Sequence, residues 1–310
     1  MITVFTPTYN RAKLLPRLYE SLCSQTYRDF EWVIVDDGSV DETKCLFNEN
    51  DNENDSYDFV CTENIKLKTQ NSKQAGFPVR YFYQENGGKH RAINRGVCEA
   101  KGELFFIADS DDWLPDNALE IVAEQYKGII GQDLAGICGL DAYENGEITG
   151  SGFPFEKKVT TTIEIRNRDG VVGDLKEVFK TEVLKEFPFP EIAGERFCPE
   201  VLVWNRIAQK YSLLFFNKVI YFAEYQRDGI TSNIVKARMN SPIASMMCYQ
   251  EMSELDIPLL QKIKAAINYW RFRFCSDKSE RPVLKWYWNL VMPIGYLLHR
   301  KDVASCRSRR

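Results

Sequence analysis

Residues 104–112 read LFFIADSDD, an apolar run that gives way at once to acidic side chains. The run is aromatic and aliphatic, which predicts a short buried strand over Leu104–Ala108. Asp109, Asp111 and Asp112 then stand where that strand ends. A lone Asp-x-Asp is weak information, because surface turns contain many acids. Its position directly behind an apolar strand makes it more specific.

Three earlier apolar runs share this arrangement. Ile2–Phe5, Trp32–Val35 and Val79–Tyr83 are rich in β-branched and aromatic residues, and each is followed by turn residues. The segments between them have helical spacing, with leucines across residues 14–22 and apolar residues across 92–100. This alternation predicts an α/β protein with a mainly parallel sheet and helices on both faces.

Polar segments follow all four predicted strands. They read TPTYN at 6–10, DDGS at 36–39, ENGGKHR at 85–91 and DSDD at 109–112. Parallel strands present their carboxyl ends at one edge, where ligands bind in such folds. Carboxylates gathered there would repel one another unless a cation is bound. Mg²⁺ or Mn²⁺ suits this chemistry, because these ions take oxygen ligands and complete their shells with substrate phosphates.

These segments together resemble family 2 glycosyltransferases. The resemblance rests on TPTYNR at 6–11, SQTY at 24–27, VDDGSVD at 35–41, NGGK at 86–89 with AINRG at 92–96, and ADSDD at 108–112. It is strong over residues 1–120 and looser over 170–232. It implies a GT-A fold, which is Rossmann-like, with a nucleotide-diphosphate sugar donor, a Mn²⁺ or Mg²⁺ cofactor and inverting transfer.

The resemblance also implies roles for individual residues. Thr8 and Tyr9 would line the nucleoside pocket, Asp37 would bind the edge of the base, and Asp36 would support it or cap a turn. Lys89, next to Gly88 in the NGGK motif, would lie near the nucleotide. Asp109 would contact the ribose or the donor, and Asp111 would bind the metal. The donor-binding prediction therefore comprises Thr8, Tyr9, Asp36, Asp37, Gly88, Lys89 and Asp109.

The general base is expected in the second half of the chain. Residues 194–206, GERFCPEVLVWNR, resemble the family segment that usually carries a Glu-Asp pair. Here Pro199 stands at the position of the Glu and Glu200 at the position of the Asp, which departs from the family pattern. Pro199 suits a first helical turn, and the positive end of the helix dipole favours an ionised Glu200. Glu195 is the alternative base.

Composition excludes some other classes of protein. Forty Lys and Arg against 44 Asp and Glu give a net charge of −4, so there is no general nucleic-acid footprint. The nine cysteines are scattered singly along the chain, and the chain has only two histidines. A zinc site is therefore not expected. Buried thiols in a reducing compartment are expected, which predicts a cytoplasmic protein. The first residues lack the features of a signal peptide.

The chain divides into a predicted catalytic domain, 1–235, and a helical, aromatic and basic region, 236–310. Within the predicted catalytic domain, residues 1–120 would bind the nucleotide sugar and residues 121–235 the acceptor. Residues 48–74 are predicted to be an acidic, Asn-rich solvated insertion. Residues 281–310 hold seven Lys and Arg against one Asp beside an aromatic stretch. Peripheral contact with the cytoplasmic face of a membrane is predicted there, with self-association and plain core packing as alternatives. The oligomeric state stays open.

A glycosyltransferase acting on a saccharide or lipid-linked acceptor, in cell-surface polysaccharide synthesis, is the main functional prediction, with a UDP-sugar as the expected donor. A phosphotransferase with Asp109 as nucleophile is one alternative, but it leaves the DDG segment unexplained. A catalytically silent nucleotide-sugar binding module is the other, and it draws support from the departure at Glu200.

Overall fold

The computed structural model describes residues 1–47, 58–61, 76–224, 233–276 and 281–308. The chain forms two compact units. The first comprises residues 1–188 and 207–225, and the second comprises 189–206 and 226–310. The predicted domain boundary at residue 235 stays a prediction, because compactness alone does not show that a segment folds by itself.

The first unit is built on a sheet that has nine strands in the described residues. The strands are β1 (Ile2–Thr8), β2 (Phe30–Asp36), β3 (Asp58–Cys61), β4 (Val79–Tyr83), β5 (Leu104–Ile107), β6 (Leu134–Ala142), β7 (Lys157–Thr160), β8 (Leu175–Lys180) and β9 (Ser212–Phe222). Their order across the sheet is β3-β4-β2-β1-β5-β8-β6-β9-β7. The four strands predicted from the apolar runs are all present, and β1 and β2 extend further than predicted.

Strand direction decides which ends of the sheet come together. Strand β1 pairs in parallel with β2 and β5, and β2 pairs in parallel with β4. Strand β8 runs antiparallel to both β5 and β6, and β6 is parallel to β9. The four strands that precede the polar segments therefore end at one edge of the sheet, and β8 begins at that edge. The predicted α/β class is confirmed.

In the residues that the structure describes, the first unit has five α-helices. They are α1 (Leu15–Cys23), α2 (Lys89–Glu99), α3 (Ala118–Lys127), α4 (Thr162–Asn167) and α5 (Thr181–Glu186). Because side chains alternate along a strand, Val4 joins the core formed with Leu18 and Leu119 of α1 and α3. Phe5 points to the other face, where α2 packs at Gly96. Helices therefore lie on both faces, as predicted.

The predicted solvated insertion, residues 48–74, lies outside the described residues except at 58–61. Those four residues form β3, which pairs antiparallel with β4 at the outer edge of the sheet. For them the structure corrects the expectation of a loop. Phe59 and Val60 favour a strand, and the open edge of β4 offers backbone partners.

The second unit is helical. Its elements are α6 (Glu200–Ala208), whose last two residues belong to the first unit, α7 (Ile234–Asn240), α8 (Pro242–Glu254), α9 (Leu259–Arg273) and α10 (Met292–Ser308), with a 3₁₀ helix at Trp286–Val291. Ile243, Met246, Tyr269 and Trp288 form its core. The predicted helical C-terminal region is confirmed. Among the described residues, no helix is long and apolar enough to cross a membrane.

Packing between α2 and β1 yields a stability prediction. In a helix interior Gly→Ala usually stabilises by about 1 kcal/mol. A Cβ at Gly96, however, would lie 2.1 Å from the ring of Phe5, which is fully buried and stacked on Phe105. We therefore expect Gly96→Ala to lower the free energy of unfolding by about 1–3 kcal/mol, measured by urea denaturation.

Gly128→Ala is the control for this substitution. Gly128 lies at the end of α3 with an ordinary helical φ of −70°, and a Cβ there meets no atom closer than 3.4 Å. Its stability should change by no more than about 0.5 kcal/mol. A Gly96→Ala protein as stable as this control would contradict the close packing of α2 on Phe5.

Candidate active site

The carboxylate of Asp37 joins the ends of β2 and β4. Its Oδ1 accepts hydrogen bonds from Nε2 of Gln84 at 2.8 Å and from the backbone N–H of Gly87 at 2.9 Å. Its Oδ2 accepts from the backbone N–H of Gly88 at 2.7 Å. Asp37 is buried, so these charge-assisted bonds form away from bulk water. They hold the predicted NGGK loop against the DDG turn.

Asp36 is tied to the protein through both carboxylate oxygens. Oδ1 accepts from the backbone N–H of Ser39 at 2.7 Å, and Oδ2 accepts from the hydroxyl of Tyr81 at 2.6 Å. Burial raises the pKa of Asp36, although the hydrogen bonds from Tyr81 and Ser39 oppose this shift. These contacts are those of a turn-holding residue, one of the two roles that the sequence left open.

Two glycines allow the same loops to approach each other. Gly38 has φ +88°, and a Cβ there would lie 2.8 Å from the backbone nitrogen of Asn86. Gly88 has φ +98° at the position before α2 begins. Residues with a side chain rarely adopt such angles, so glycine is required where the chain turns into the helix.

Thr8 and Tyr9 lie at the end of β1, beside the Asp37 turn. The carbonyl of Thr8 accepts from the backbone N–H of Asp37 at 2.8 Å. Thr8 is buried, yet its Oγ1 has no hydrogen-bond partner among the described residues. Tyr9 is 47% exposed. A buried hydroxyl without a partner next to an exposed aromatic ring fits a ligand that has both polar groups and a flat face.

Lys89 and Asp109 form an ion pair across the ends of β4 and β5. Lys89 Nζ lies 2.7 Å from Oδ1 and 2.9 Å from Oδ2 of Asp109. Burial alone would raise the pKa of Asp109, but the charges of Lys89 and then Lys176 outweigh it and hold the pKa below its ordinary value. Asp109 is therefore ionised at neutral pH.

Asp112 is held by β9 and the residues after it. Its Oδ2 accepts from the hydroxyl of Tyr221 at 2.8 Å, and its Oδ1 accepts from the backbone N–H of Glu224 at 2.8 Å. The Tyr221 hydroxyl in turn accepts from the backbone N–H of Asp109 at 2.7 Å. Burial, and then the charge of Asp109, raise the pKa of Asp112 to about 7. Asp112 thus anchors the loop.

Asp111 is the acid of this loop that best fits a cation. It is half-buried, and burial and then the charge of Asp109 raise its pKa. A bound cation would offset both effects. Among the described residues, no three His, Cys, Asp or Glu side chains are grouped to hold an ion. The donor set fits Mg²⁺ or Mn²⁺ in the mode that uses one protein carboxylate together with substrate phosphates and water.

The two candidate bases lie near the start of the second unit. Helix α6 begins at Glu200, in agreement with the predicted helix start. Glu195 is buried, and its two oxygens accept from the backbone N–H groups of Ile243 at 2.7 Å and Ala244 at 2.9 Å. These are among the first N–H groups of α8, so Glu195 caps that helix from a distance in sequence.

Sequence reasoning missed three residues at the site edge. Lys176 is the second residue of β8, its charge acts on Asp109, and its Nζ lies 3.3 Å from the ring centroid of Tyr221. Asp141, near the end of β6, pairs with Tyr221 in the strand register. Asp141 is 5% exposed, and its Oδ1 has no hydrogen-bond partner in the described part of the chain. The one signal available was that polar residues interrupt apolar strands at these positions.

Asp141 yields a prediction about pH. Burial raises its pKa to about 6, opposed by Lys176 and reinforced by Asp174 and Asp109. The folded protein therefore holds this proton more tightly than the unfolded chain, whose Asp titrates near 3.9. As pH rises from about 4 to 6, the unfolded chain loses its proton first, so the free energy of unfolding falls, by up to about 3 kcal/mol from this group.

Asp141→Asn should make that decline shallower, as measured by urea denaturation at several pH values between 4 and 8. The exposed carboxylate of Asp133, just before β6, provides the control, and Asp133→Asn should leave the pH dependence as it is in the unaltered protein. Equal slopes in the Asp141 variant and the unaltered protein would contradict the assignment.

The chain is similar to known glycosyltransferases. Residues 3–128 match the family model for "Glycosyl transferase family 2". Glycosyltransferase GlyG of Streptococcus pneumoniae is 29% identical over 240 residues, which cover 71% of this chain and 69% of GlyG. The GalNAc(5)-diNAcBac-PP-undecaprenol beta-1,3-glucosyltransferase of Campylobacter jejuni is 24% identical over 240 residues, which cover 74% of this chain and 67% of that enzyme. An uncharacterized glycosyltransferase of Rickettsia typhi matches over only 36% of its own length.

Solved structures share the fold. S. aureus TarS 1-349 in complex with UDP-GlcNAc has a TM-score of 0.60 at 19% identity, covering 88% of this chain and 72% of TarS 1-349. The mannosyltransferase PcManGT from Pyrobaculum calidifontis, in complex with GDP-Man and Mn2+, has a TM-score of 0.54 at 17% identity. The match covers 98% of this chain and 75% of PcManGT. The predicted GT-A fold is confirmed. Residues 3–128, which carry the resembling motifs at one sheet edge, are similar to glycosyl transferase family 2.

Proposed function

We propose that this chain is an inverting glycosyltransferase that moves a sugar from a UDP-sugar to a hydroxyl of a saccharide or lipid-linked acceptor. The observation that carries the proposal is one sheet edge of a chain similar to family 2, where Asp37, the Lys89–Asp109 pair and Asp111 meet. TarS has been solved with UDP-GlcNAc, and the Campylobacter relative is named for an undecaprenol-linked acceptor. Cell-surface polysaccharide synthesis is the proposed setting.

The nucleoside of the donor would bind at the ends of β1 and β2. Tyr9 offers an exposed ring for the base, and the buried Thr8 hydroxyl offers a polar contact. Asp37 carries acceptor oxygens for an N–H at the base edge. Lys89 brings a positive charge to the phosphates, while Asp109 accepts from a ribose or donor hydroxyl and keeps the Lys89 ammonium in place.

Asp111 would hold the divalent cation. When bound, Mn²⁺ or Mg²⁺ neutralises charge that builds up on the departing nucleotide diphosphate. The contribution of the chain is to keep one carboxylate in a half-buried position beside the Asp109 charge, where a cation is favoured.

Glu200 is the proposed general base. It takes the proton of the acceptor hydroxyl while that oxygen bonds to the anomeric carbon of the sugar, and the bond from this carbon to the diphosphate oxygen breaks. Inversion follows from a single displacement at that carbon. The capping bonds of Glu195 to α8 disfavour it as the base, because protonation would weaken two buried hydrogen bonds.

Asp109 is poorly suited to the phosphotransferase alternative. A nucleophilic carboxylate must present one oxygen to the phosphorus atom, but both oxygens of Asp109 contact the Lys89 ammonium.

A cytoplasmic site of action is proposed as well. Burial raises the pKa of the Cys138 thiol well above its ordinary value and that of Cys248 to about 11, which keeps both thiols protonated and inert, as suits a reducing compartment.

Calorimetric titration with UDP, GDP and dTDP, each with and without Mn²⁺, tests the proposal. We expect metal-dependent binding of one of them, with UDP preferred. Screening nucleotide sugars for slow hydrolysis would then identify the donor without knowledge of the acceptor. Binding without any turnover would favour the silent binding module, and no binding of any nucleotide would contradict the proposed function.

Asp111→Asn tests the metal site. The substitution removes one charge at nearly constant size, and losing a ligand of a catalytic cation should raise the activation barrier by several kcal/mol. Mn²⁺ should also no longer strengthen UDP binding in calorimetry. Asp116→Asn is the matched control, because Asp116 is an exposed carboxylate five residues further along. Near-normal turnover in Asp111→Asn would show that the cation is held elsewhere.

Glu200→Gln tests the base. Transfer should slow by about 10²–10⁴-fold, the usual share of general base catalysis, while the affinity for UDP stays unchanged. Glu195→Gln is the contrasting variant. A neutral amide has one acceptor oxygen for two buried N–H groups, so we expect a loss of about 1–3 kcal/mol of stability with transfer by the folded enzyme largely kept. The reverse outcome would assign the base to Glu195.

A further inference from the structure

The end of the second unit presents apolar side chains to solvent at helical spacing. Leu290 is 84% exposed, Ile294 49% and Leu297 68%. Separations of four and three residues place these side chains on one face of the chain that leads into α10. Trp286, 80% exposed, and Tyr287, 41% exposed, precede them. We call Trp286, Tyr287, Leu290, Ile294 and Leu297 the apolar stripe.

The other face of α10 is fastened to α9, so the stripe is held outward. A Cβ at Gly295 would lie 2.5 Å from Cβ of Trp270, which shows how closely the two helices approach. The indole N–H of Trp270 donates to the carbonyl of Trp288 at 3.1 Å, and the Trp288 side chain is buried in the core of this unit. Because the side chain of Trp288 points into the core, Trp286 and Leu290 on either side of it face solvent.

Charge along the segment is almost entirely positive. Residues 281–310 contain seven Lys and Arg, with Asp302 as the single acid. Asp302 is already paired, because Arg271 of α9 donates hydrogen bonds to it from Nε and from Nη2, with Nη2 2.8 Å from Oδ1. Arg300 and Lys301 are exposed directly after the stripe.

We propose that the apolar stripe docks on a bilayer that contains anionic lipid, with α10 lying in the plane of the membrane surface. Exposed leucine and isoleucine side chains would enter the acyl boundary, and Trp286 and Tyr287 would lie at the level of the headgroups. Each Lys or Arg close to an anionic surface adds to the attraction.

A lipid surface fits these observations better than a second copy of the chain. Two copies packed through the stripe would bring the same cations together, and like charges in an interface oppose association. An anionic bilayer supplies the complementary charge. This inference goes beyond the proposed transfer reaction, since it requires neither a donor sugar nor a catalytic base.

Vesicle flotation with the full chain tests the proposal. We expect the protein to float with vesicles of phosphatidylcholine and phosphatidylglycerol at low salt, and to float much less with pure phosphatidylcholine or at high salt. Leu290→Ser with Leu297→Ser should lower the apparent partition coefficient at least about tenfold, because two apolar side chains no longer enter the bilayer.

The matched control is Leu259→Ser with Leu260→Ser. These leucines are 67% and 60% exposed at the start of α9, outside the stripe, and their loss should leave flotation unchanged. Circular dichroism melting and UDP titration check that both double variants stay folded.

Three outcomes would overturn the proposal. One is absence of flotation with anionic vesicles at low salt, and another is equal flotation of the stripe variant and its control. The third is a concentration-dependent dimer in sedimentation equilibrium that the stripe variant abolishes while no form floats. None of these outcomes depends on sugar transfer, so failure here and failure of the proposed enzymatic function can be told apart.

Discussion

Parallel pairing of β1, β2, β4 and β5 is the constraint on which the rest of the structure depends. It brings chain segments separated by up to a hundred residues to one edge and crowds carboxylates there. Each carboxylate must then find a partner. Asp36 and Asp37 take turn donors, Asp109 takes Lys89, and Asp112 takes Tyr221. Burial and the charge of Asp109 raise the pKa of Asp111, which is the proposed ligand of the cation.

Motifs and local patterns were enough to predict the first half of the sheet and the placement of the polar segments. The four strands lie where the sequence predicted, although β1 and β2 extend further, because hydrophobic period and turn chemistry are local properties. The NGGK loop and the DDG turn were expected at one edge, and the hydrogen bonds from Gly87 and Gly88 to Asp37 bear out their meeting. The roles assigned to individual residues stay predictions.

The sequence could not reveal the supports that come from far along the chain. Tyr221 reaches Asp109 and Asp112 across more than a hundred residues, and this contact depends on β8 being placed between β5 and β6. An antiparallel strand inside a parallel series leaves no local mark. Lys176 and Asp141 were missed for the same reason. Glu195 looked like a candidate base because its partners, the first N–H groups of α8, are nearly fifty residues away.

The contacts of Asp37 have a consequence for recognition that follows from counting lone pairs. A carboxylate offers about four acceptor directions. Gln84 and Gly87 occupy two of them on Oδ1, and Gly88 occupies one on Oδ2. A single direction remains, and it accepts but cannot donate while Asp37 is ionised. A ring nitrogen that carries hydrogen, as in uracil, thymine or guanine, can satisfy it. The bare ring nitrogen of cytosine would instead bring two lone pairs together, so Asp37, in its proposed role at the edge of the base, would disfavour cytidine nucleotides that approach through this nitrogen.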